Sequence, residues 1–397
     1  MNNPDIELLL SCARTEMDLE TADKIRRLLC ENIEWNHLLE FARPHGILPL
    51  LYRHLRSIAP EWVPEFVLSK LQEYSEDLTH RSLLLTQELL TILDLFAAHQ
   101  IHAVPFKGPV LAHLVYKNLS LRPFSDLDIL LQKKDVFRAR ELLLSKGYGP
   151  CHDPESRLTD IQEARLQELQ YCRALLKVEN QFLVELHWNI TPRYFSCSFD
   201  TRGLMDRARP VLLGGKEIYS LTPEDMLLVL TVHGSKHCWE RLSWVCDIAE
   251  LIRAYPEMDW SCVMEEAKKI GSLKMLLLGL SLARDLLGLN LPNEKWVCLS
   301  DHTIDQSVSL LVRDVGNRLL HQTRGPGVIK TLFFHLRMRE RPRDRVKYLL
   351  NVTLIPSAGD YEVISLPEVL YFLYYLIKPA RLLVKYGWGA LRCRSAR

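Results

Sequence analysis

The chain has 397 residues, with 50 Lys and Arg balanced by 49 Asp and Glu, and is 48% hydrophobic and 25% charged. These values exclude a disordered or collagen-like chain, and at this length two or three cores are expected. The net charge of +1 gives no general pull toward nucleic acid, but it is unevenly spread: residues 321–397 hold 14 Lys and Arg against 5 Asp and Glu, leaving residues 1–320 at −8.

The N-terminal MNNPDIELLL lacks a basic segment and an A-x-A site, so no secretory signal is expected. The 10 cysteines include no CxxC pair, which argues against a zinc ribbon or redox pair and makes a reducing cytoplasm the default. From residue 5 to about 100 apolar residues recur at helical spacing, as in Ile25, Leu28 and Leu29 and along Pro64 to His99. Residues 1–98 therefore form a helical N-terminal part.

The pattern changes at residue 101. Ile101 to Phe106 reads as a strand entering Lys107-Gly108, followed by a helix from Pro109 to Tyr116. Asp126 to Leu131 is a second strand, and a helix from Asp135 to Ser145 stops at Gly147. Cys172 to Val178 and Gln181 to Trp188 read as a hairpin turning at Glu179-Asn180. Strands interleaved with helices over 99–220 predict an α+β core with a mixed sheet. Thr222-Pro223-Glu224-Asp225 then starts a helical domain over 221–320: a capping Thr, Pro at the first helical position and acids in the first turn. Residues 321–397 form a basic helical C-terminal segment.

In a strand, residues two apart leave the same face, so Asp126 and Asp128 point together while Leu127 and Ile129 turn away. Two such carboxylates, about 6.5–7 Å apart, repel unless a cation lies between them, and Mg2+ suits one or two carboxylates plus phosphate oxygens. Glu185, a lone acid in the apolar run Phe182 to Trp188, is the candidate third carboxylate. Alone, D-x-D also fits acids on a solvated strand face.

The ordered motifs F-K-G-x3-L-x4-Y, R-x3-D-L-D-I-L-L, E-L-H-W and H-x2-K-H-x-W-x-R-L-x-W-x2-D-I-A resemble an uncharacterised nucleotidyltransferase family of the DNA polymerase β type superfamily, found in bacteria. The resemblance covers roughly 100–255. It implies that Asp126, Asp128 and Glu185 are the catalytic acids, that Asp126 and Asp128 bind metal with Glu185 as a further ligand or the general base, and that two Mg2+ ions are held, for which Mn2+ substitutes. It implies also that Gly108 stands in the turn receiving the nucleotide phosphates. The superfamily commonly has Gly-Ser or Gly-Gly there; in Lys107-Gly108-Pro109 the Lys107 ammonium replaces the missing hydroxyl as a point charge. Arg122 is placed to approach phosphate or to anchor the strand, and His187 to contact ligand or Glu185.

His233, Lys236, His237, Arg241, Trp244 and Asp247 form a second cluster, on one helix or on two helices separated by a break near Trp239; the resemblance favours the break. Lys236 and Arg241 are candidates for triphosphate or acceptor contacts. His233, His237 and Asp247 are candidates for acceptor contacts or for orienting their neighbours. The i, i+4 histidines have zinc spacing but lack the H-E-x2-H base.

Toward the end, Arg337 to Lys347 is a basic run expected to be solvated, and the apolar run Val369 to Ile377 is too short to span a bilayer. That run reads as a helix docked on its own protein with its basic face in solvent. Its other reading is a peripheral contact with an anionic membrane or an acidic partner. No nucleic-acid module is present.

The reading with most support is a cytoplasmic, Mg2+-dependent nucleotidyltransferase acting on an NTP and an unidentified acceptor. The alternatives are a catalytically inactive scaffold of the same fold, or a phosphohydrolase built on His233, His237 and Asp247.

Overall fold

The computed structural model describes residues 3–151, 171–195, 197–290, 302–321, 325–364 and 366–387. Four short helices lead the chain: α1 (Pro4–Cys12), α2 (Leu19–Leu29), α3 (Trp35–His45) and α4 (Leu48–Ile58). Asn3 and Asp18 cap the first two by accepting from the backbone N–H groups of Asp5 and Thr21, and Gly46 ends α3 in the left-handed region at φ 71°. Helix α5 (Glu65–Ala98) follows, and its 34 residues serve two cores. Val67 and Leu71 pack among the leading helices, whereas Leu85, Leu89, Ile92, Leu93 and Phe96 lie against the sheet.

That sheet has the order β1-β2-β5-β4-β3, from β1 (Ala103–Pro105), β2 (Asp126–Leu131), β3 (Tyr148–Pro150), β4 (Cys172–Lys177) and β5 (Phe182–His187). Only β2 and β5 pair in parallel, so the sheet is mixed and the α+β class holds. Helix α6 (Gly108–Leu114) leaves β1, and α7 (Val136–Leu144) follows β2. The β4–β5 hairpin exists, but its connection runs from Val178 to Gln181 rather than turning on Glu179-Asn180 alone, with Gln181 at φ 54°. A second hairpin, β6 (Arg209–Leu213) and β7 (Lys216–Ser220), follows the short helix α8 (Thr201–Asp206) and turns on Gly214-Gly215.

Helices then return: α9 (Pro223–Lys236), α10 (Leu242–Ala254), α11 (Trp260–Ile270), α12 (Leu273–Leu287) and α13 (His302–His321). Thr222 caps α9 by accepting from Asp225 N–H, as its sequence predicts. Their apolar faces share one core with the leading helices, so chain segments on both sides of the sheet region pack together. The break after α9 places Cys238 and Trp239 both at φ 54°. Trp239 is fully buried against Gly234 and Gly279, where a Cβ would come within 2.7 and 3.0 Å of its ring. Burying a ring of that size anchors the turn that aims α10 at the sheet.

The C-terminal region contains α14 (Val328–Met338), α15 (Pro342–Leu354), α16 (Ala358–Val363) and α17 (Tyr374–Leu382). Two expectations are corrected here. The basic run is not uniformly solvated: Arg339 is 1% exposed, with its guanidinium 3.8 Å from the Tyr348 ring centroid and 4.8 Å from that of Phe195. In α17 the basic residues face inward: Arg381 binds buried Asp360, and Lys378 donates to the Ile355 carbonyl. Among the described residues no helix is long and apolar enough to cross a membrane.

Candidate active site

The turn from β1 into α6 is built on two residues with positive φ, Lys107 at 60° and Gly108 at 43°. A Cβ on Gly108 would lie 3.3 Å from the Asp126 carbonyl oxygen, so the turn sits directly on the start of β2. A lysine in this backbone region is strained, a condition that concentrates at functional sites. Its ammonium donates to Asp128 Oδ2 at 2.9 Å.

Along β2, Leu127 and Ile129 are buried beneath the sheet, which turns Asp126 and Asp128 to the other face. In the parallel β2–β5 ladder Asp128 lies opposite Glu185 and Leu130 opposite His187, so all three acids leave one face. His187 Nε2 donates to Asp128 Oδ1 at 2.9 Å and to Glu185 Oε2 at 3.1 Å. Each oxygen of Asp128 thus accepts one hydrogen bond, one from Lys107 and one from His187, and keeps a lone pair for a further cation.

Burial alone would raise the Asp128 carboxyl, but Lys107 and His187 outweigh it and hold that group well below the usual carboxylate range. Asp126 moves the other way, pushed up by burial and by repulsion from Asp128 and Glu185. The hydrogen bond from His187 lowers Glu185, keeping it ionised. Burial disfavours the His187 imidazolium, yet the two carboxylates raise its pKa overall.

The opposite wall comes from α9 and α10. His233, His237 and Trp244 cluster with ring centroids 4.7–5.5 Å apart. Arg241 lies 5.8 Å from the Trp244 ring, and Lys236 donates to the Tyr171 hydroxyl at 2.8 Å. Burial and the nearby Lys107 charge lower Lys236 to about 8, and burial with Lys236 lowers His237 to about 3. His237 is therefore neutral at pH 7.

Between these walls is a cavity of about 380 Å³ lined by Lys107, Gly108, Arg122, Asp126, Asp128, Glu185, His187, His233, Lys236, His237 and Arg241, among others. Asp247 lies behind it. Its two oxygens take Arg122 Nε at 2.7 Å and an Arg122 Nη at 2.9 Å, and Oδ1 also accepts from the Tyr116 hydroxyl at 2.7 Å. Of the two roles expected for Arg122, these bonds supply the anchor, joining α10 to the sheet domain, while its side chain also lines the cavity. They also correct the phosphohydrolase reading, because Asp247 faces Arg122 rather than the two histidines.

Tyr171 is a wall residue that sequence reasoning missed; its place just before Cys172 at the start of β4 was the only available signal. Among the described residues the donors lying mutually within 4.8 Å belong to Cys172, Glu185 and His187, a group that includes neither Asp126 nor Asp128. The carboxylates nevertheless fit a hard cation: they are oxygen donors on one strand face, and an ammonium already occupies a cation position against Asp128.

Compared with known proteins, residues 31–288 match a family model described as an uncharacterised nucleotidyltransferase. A search of curated proteins found no match.

Proposed function

Because the chain belongs to this uncharacterised nucleotidyltransferase family, we propose that it transfers a nucleoside monophosphate from an NTP to an acceptor hydroxyl, with release of pyrophosphate. The observation that carries the reading is the register that sets Glu185 opposite Asp128, on the face that Asp126 shares. Asp126, Asp128 and Glu185 would hold Mg2+, as two ions, with Mn2+ able to take its place. When bound, the divalent ions neutralise triphosphate charge and lower the proton affinity of the attacking hydroxyl.

In this reading the bond formed is acceptor oxygen to the α-phosphorus, and the bond broken joins that phosphorus to the bridging oxygen of the departing pyrophosphate. Glu185, kept ionised by His187, serves either as the third metal ligand or as the base that takes the acceptor proton. Lys107 and Lys236 face the cleft from opposite walls and offset the pyrophosphate charge. The Arg122–Asp247 pair holds the α9–α10 wall over the sheet, so that both lysines reach one substrate.

The test is incubation with α-labelled and γ-labelled NTPs, Mg2+ and fractionated host extract. Label passing to an acceptor from the α position, with pyrophosphate formed, supports the reading. Transfer from the γ position, or Mg2+-independent binding without turnover, refutes it; the latter result is the one a scaffold gives.

A further inference from the structure

The helix at the C-terminal end is amphipathic in the inverse sense. A continuous helical stretch runs through Glu368–Leu373, α17 and Leu383–Gly387. At 100° per residue, Tyr371, Tyr374, Lys378 and Arg381 share one side. That side faces the protein: Tyr371 and Tyr374 are buried with Tyr361, the Tyr374 hydroxyl donates to the Ile364 carbonyl, and Arg381 reaches Asp360. The opposite side carries Val369, Phe372, Leu376 and Leu383, which are 81, 61, 67 and 71% exposed, with Val384 beside them. A soluble surface helix orders these groups the other way round.

The neighbouring helix α15 extends this character. It exposes Val346, Leu349, Leu350 and Leu354, with exposed Arg343 and Lys347 among them. Exposed apolar side chains in such density mark an interaction surface. Exposed Arg343 and Lys347, interspersed with these apolar groups on α15, choose between occupants by charge. A bilayer bearing anionic headgroups offers an apolar layer beneath a negative surface, which matches both features.

We propose that α15 and the α17 stretch dock in the interface of an anionic lipid bilayer, with Val369, Phe372, Leu376 and Leu383 entering the acyl boundary and Arg343 and Lys347 at headgroup level. The surface is separate from the carboxylate cleft, so this proposal stands independently of the proposed reaction.

The experiment is flotation of the full chain with phosphatidylcholine vesicles containing phosphatidylserine, beside pure phosphatidylcholine vesicles. The expected result is binding to the anionic vesicles that weakens with salt. Phe372→Ser with Leu376→Ser should reduce partitioning by roughly a hundredfold, because two large apolar groups no longer enter the bilayer. Arg343→Glu with Lys347→Glu should reduce it by roughly tenfold or more on anionic vesicles. The charge pair leaves the apolar face intact and so separates lost contact from any loss of fold. Absence of binding to anionic vesicles overturns the proposal, as does binding insensitive to both pairs of substitutions. A lipid-free dimer in sedimentation that the Phe372 and Leu376 substitutions dissociate also overturns it, since a second copy then covers the face.

Discussion

The buried pair between Arg122 and Asp247 gives the sharpest test of how the two halves of the cleft are joined. Asp247 is 1% exposed and meets Arg122 through two parallel hydrogen bonds of 2.7 and 2.9 Å, with Tyr116 adding a third. Changing Asp247 to Ala removes the bidentate counter-ion from a buried guanidinium. Breaking such a pair costs about 3–5 kcal/mol, whereas replacing every member with apolar groups of similar volume is often neutral or stabilising. Asp247→Ala should therefore lower unfolding free energy by about that amount in urea denaturation followed by circular dichroism. The triple variant Arg122→Met, Asp247→Leu, Tyr116→Phe should recover most of the loss, because it buries no charge or unpaired hydroxyl. A single-variant cost below about 1 kcal/mol, or a triple variant as unstable as the single one, would refute the assignment of this pair as the joint.

Two further predictions concern the cleft itself. Lys236 has its pKa lowered to about 8 by burial and the Lys107 charge, so it is mostly cationic at pH 7 and loses its proton as pH rises. kcat/KM for the NTP should thus fall with an apparent pKa near 8, to roughly one-tenth of its plateau at about pH 9; Lys236→Arg, charged throughout, should flatten that fall, and an unchanged profile would exclude Lys236 from substrate binding. Gly108→Ala should destabilise the protein by about 1–3 kcal/mol, since it combines a positive φ with a close approach to Asp126. Gly147→Ala is the control in thermal denaturation, with φ 84° but open space around it, and should cost less; equal losses would mean that crowding against β2 contributes nothing.

The strands that carry the acids were legible because their chemistry is local: alternation in Asp126 to Leu131 fixes which side chains share a face, and Lys107-Gly108 punctuates the turn. The register of β2 against β5 is a long-range property, yet it is the property that brings Glu185 to Asp128. The same limit explains Arg122, whose spacing from Asp126 leaves a phosphate contact and a strand anchor equally open; its carboxylate partner lies 125 residues away on α10. Gly214-Gly215 is an ordinary two-residue hairpin signal, but the strands it joins, Arg209–Leu213 and Lys216–Ser220, alternate weakly. In α17, the apolar run Val369 to Ile377 marks the helix but not its rotation: buried Asp360 holds Arg381 inward while the apolar side faces out.

The central claim is that one acid pair and a third acid from the adjacent strand act together on a nucleotide. Its most direct measurement is transfer of α-labelled nucleotide by Asp126→Asn, Asp128→Asn and Glu185→Gln beside the unaltered chain, each shown by circular dichroism to be folded. Groups that work as a unit lose nearly the whole rate one at a time, so each substitution should lower transfer by about a thousandfold or more. Transfer that persists at the unaltered rate after Asp128→Asn would contradict the account.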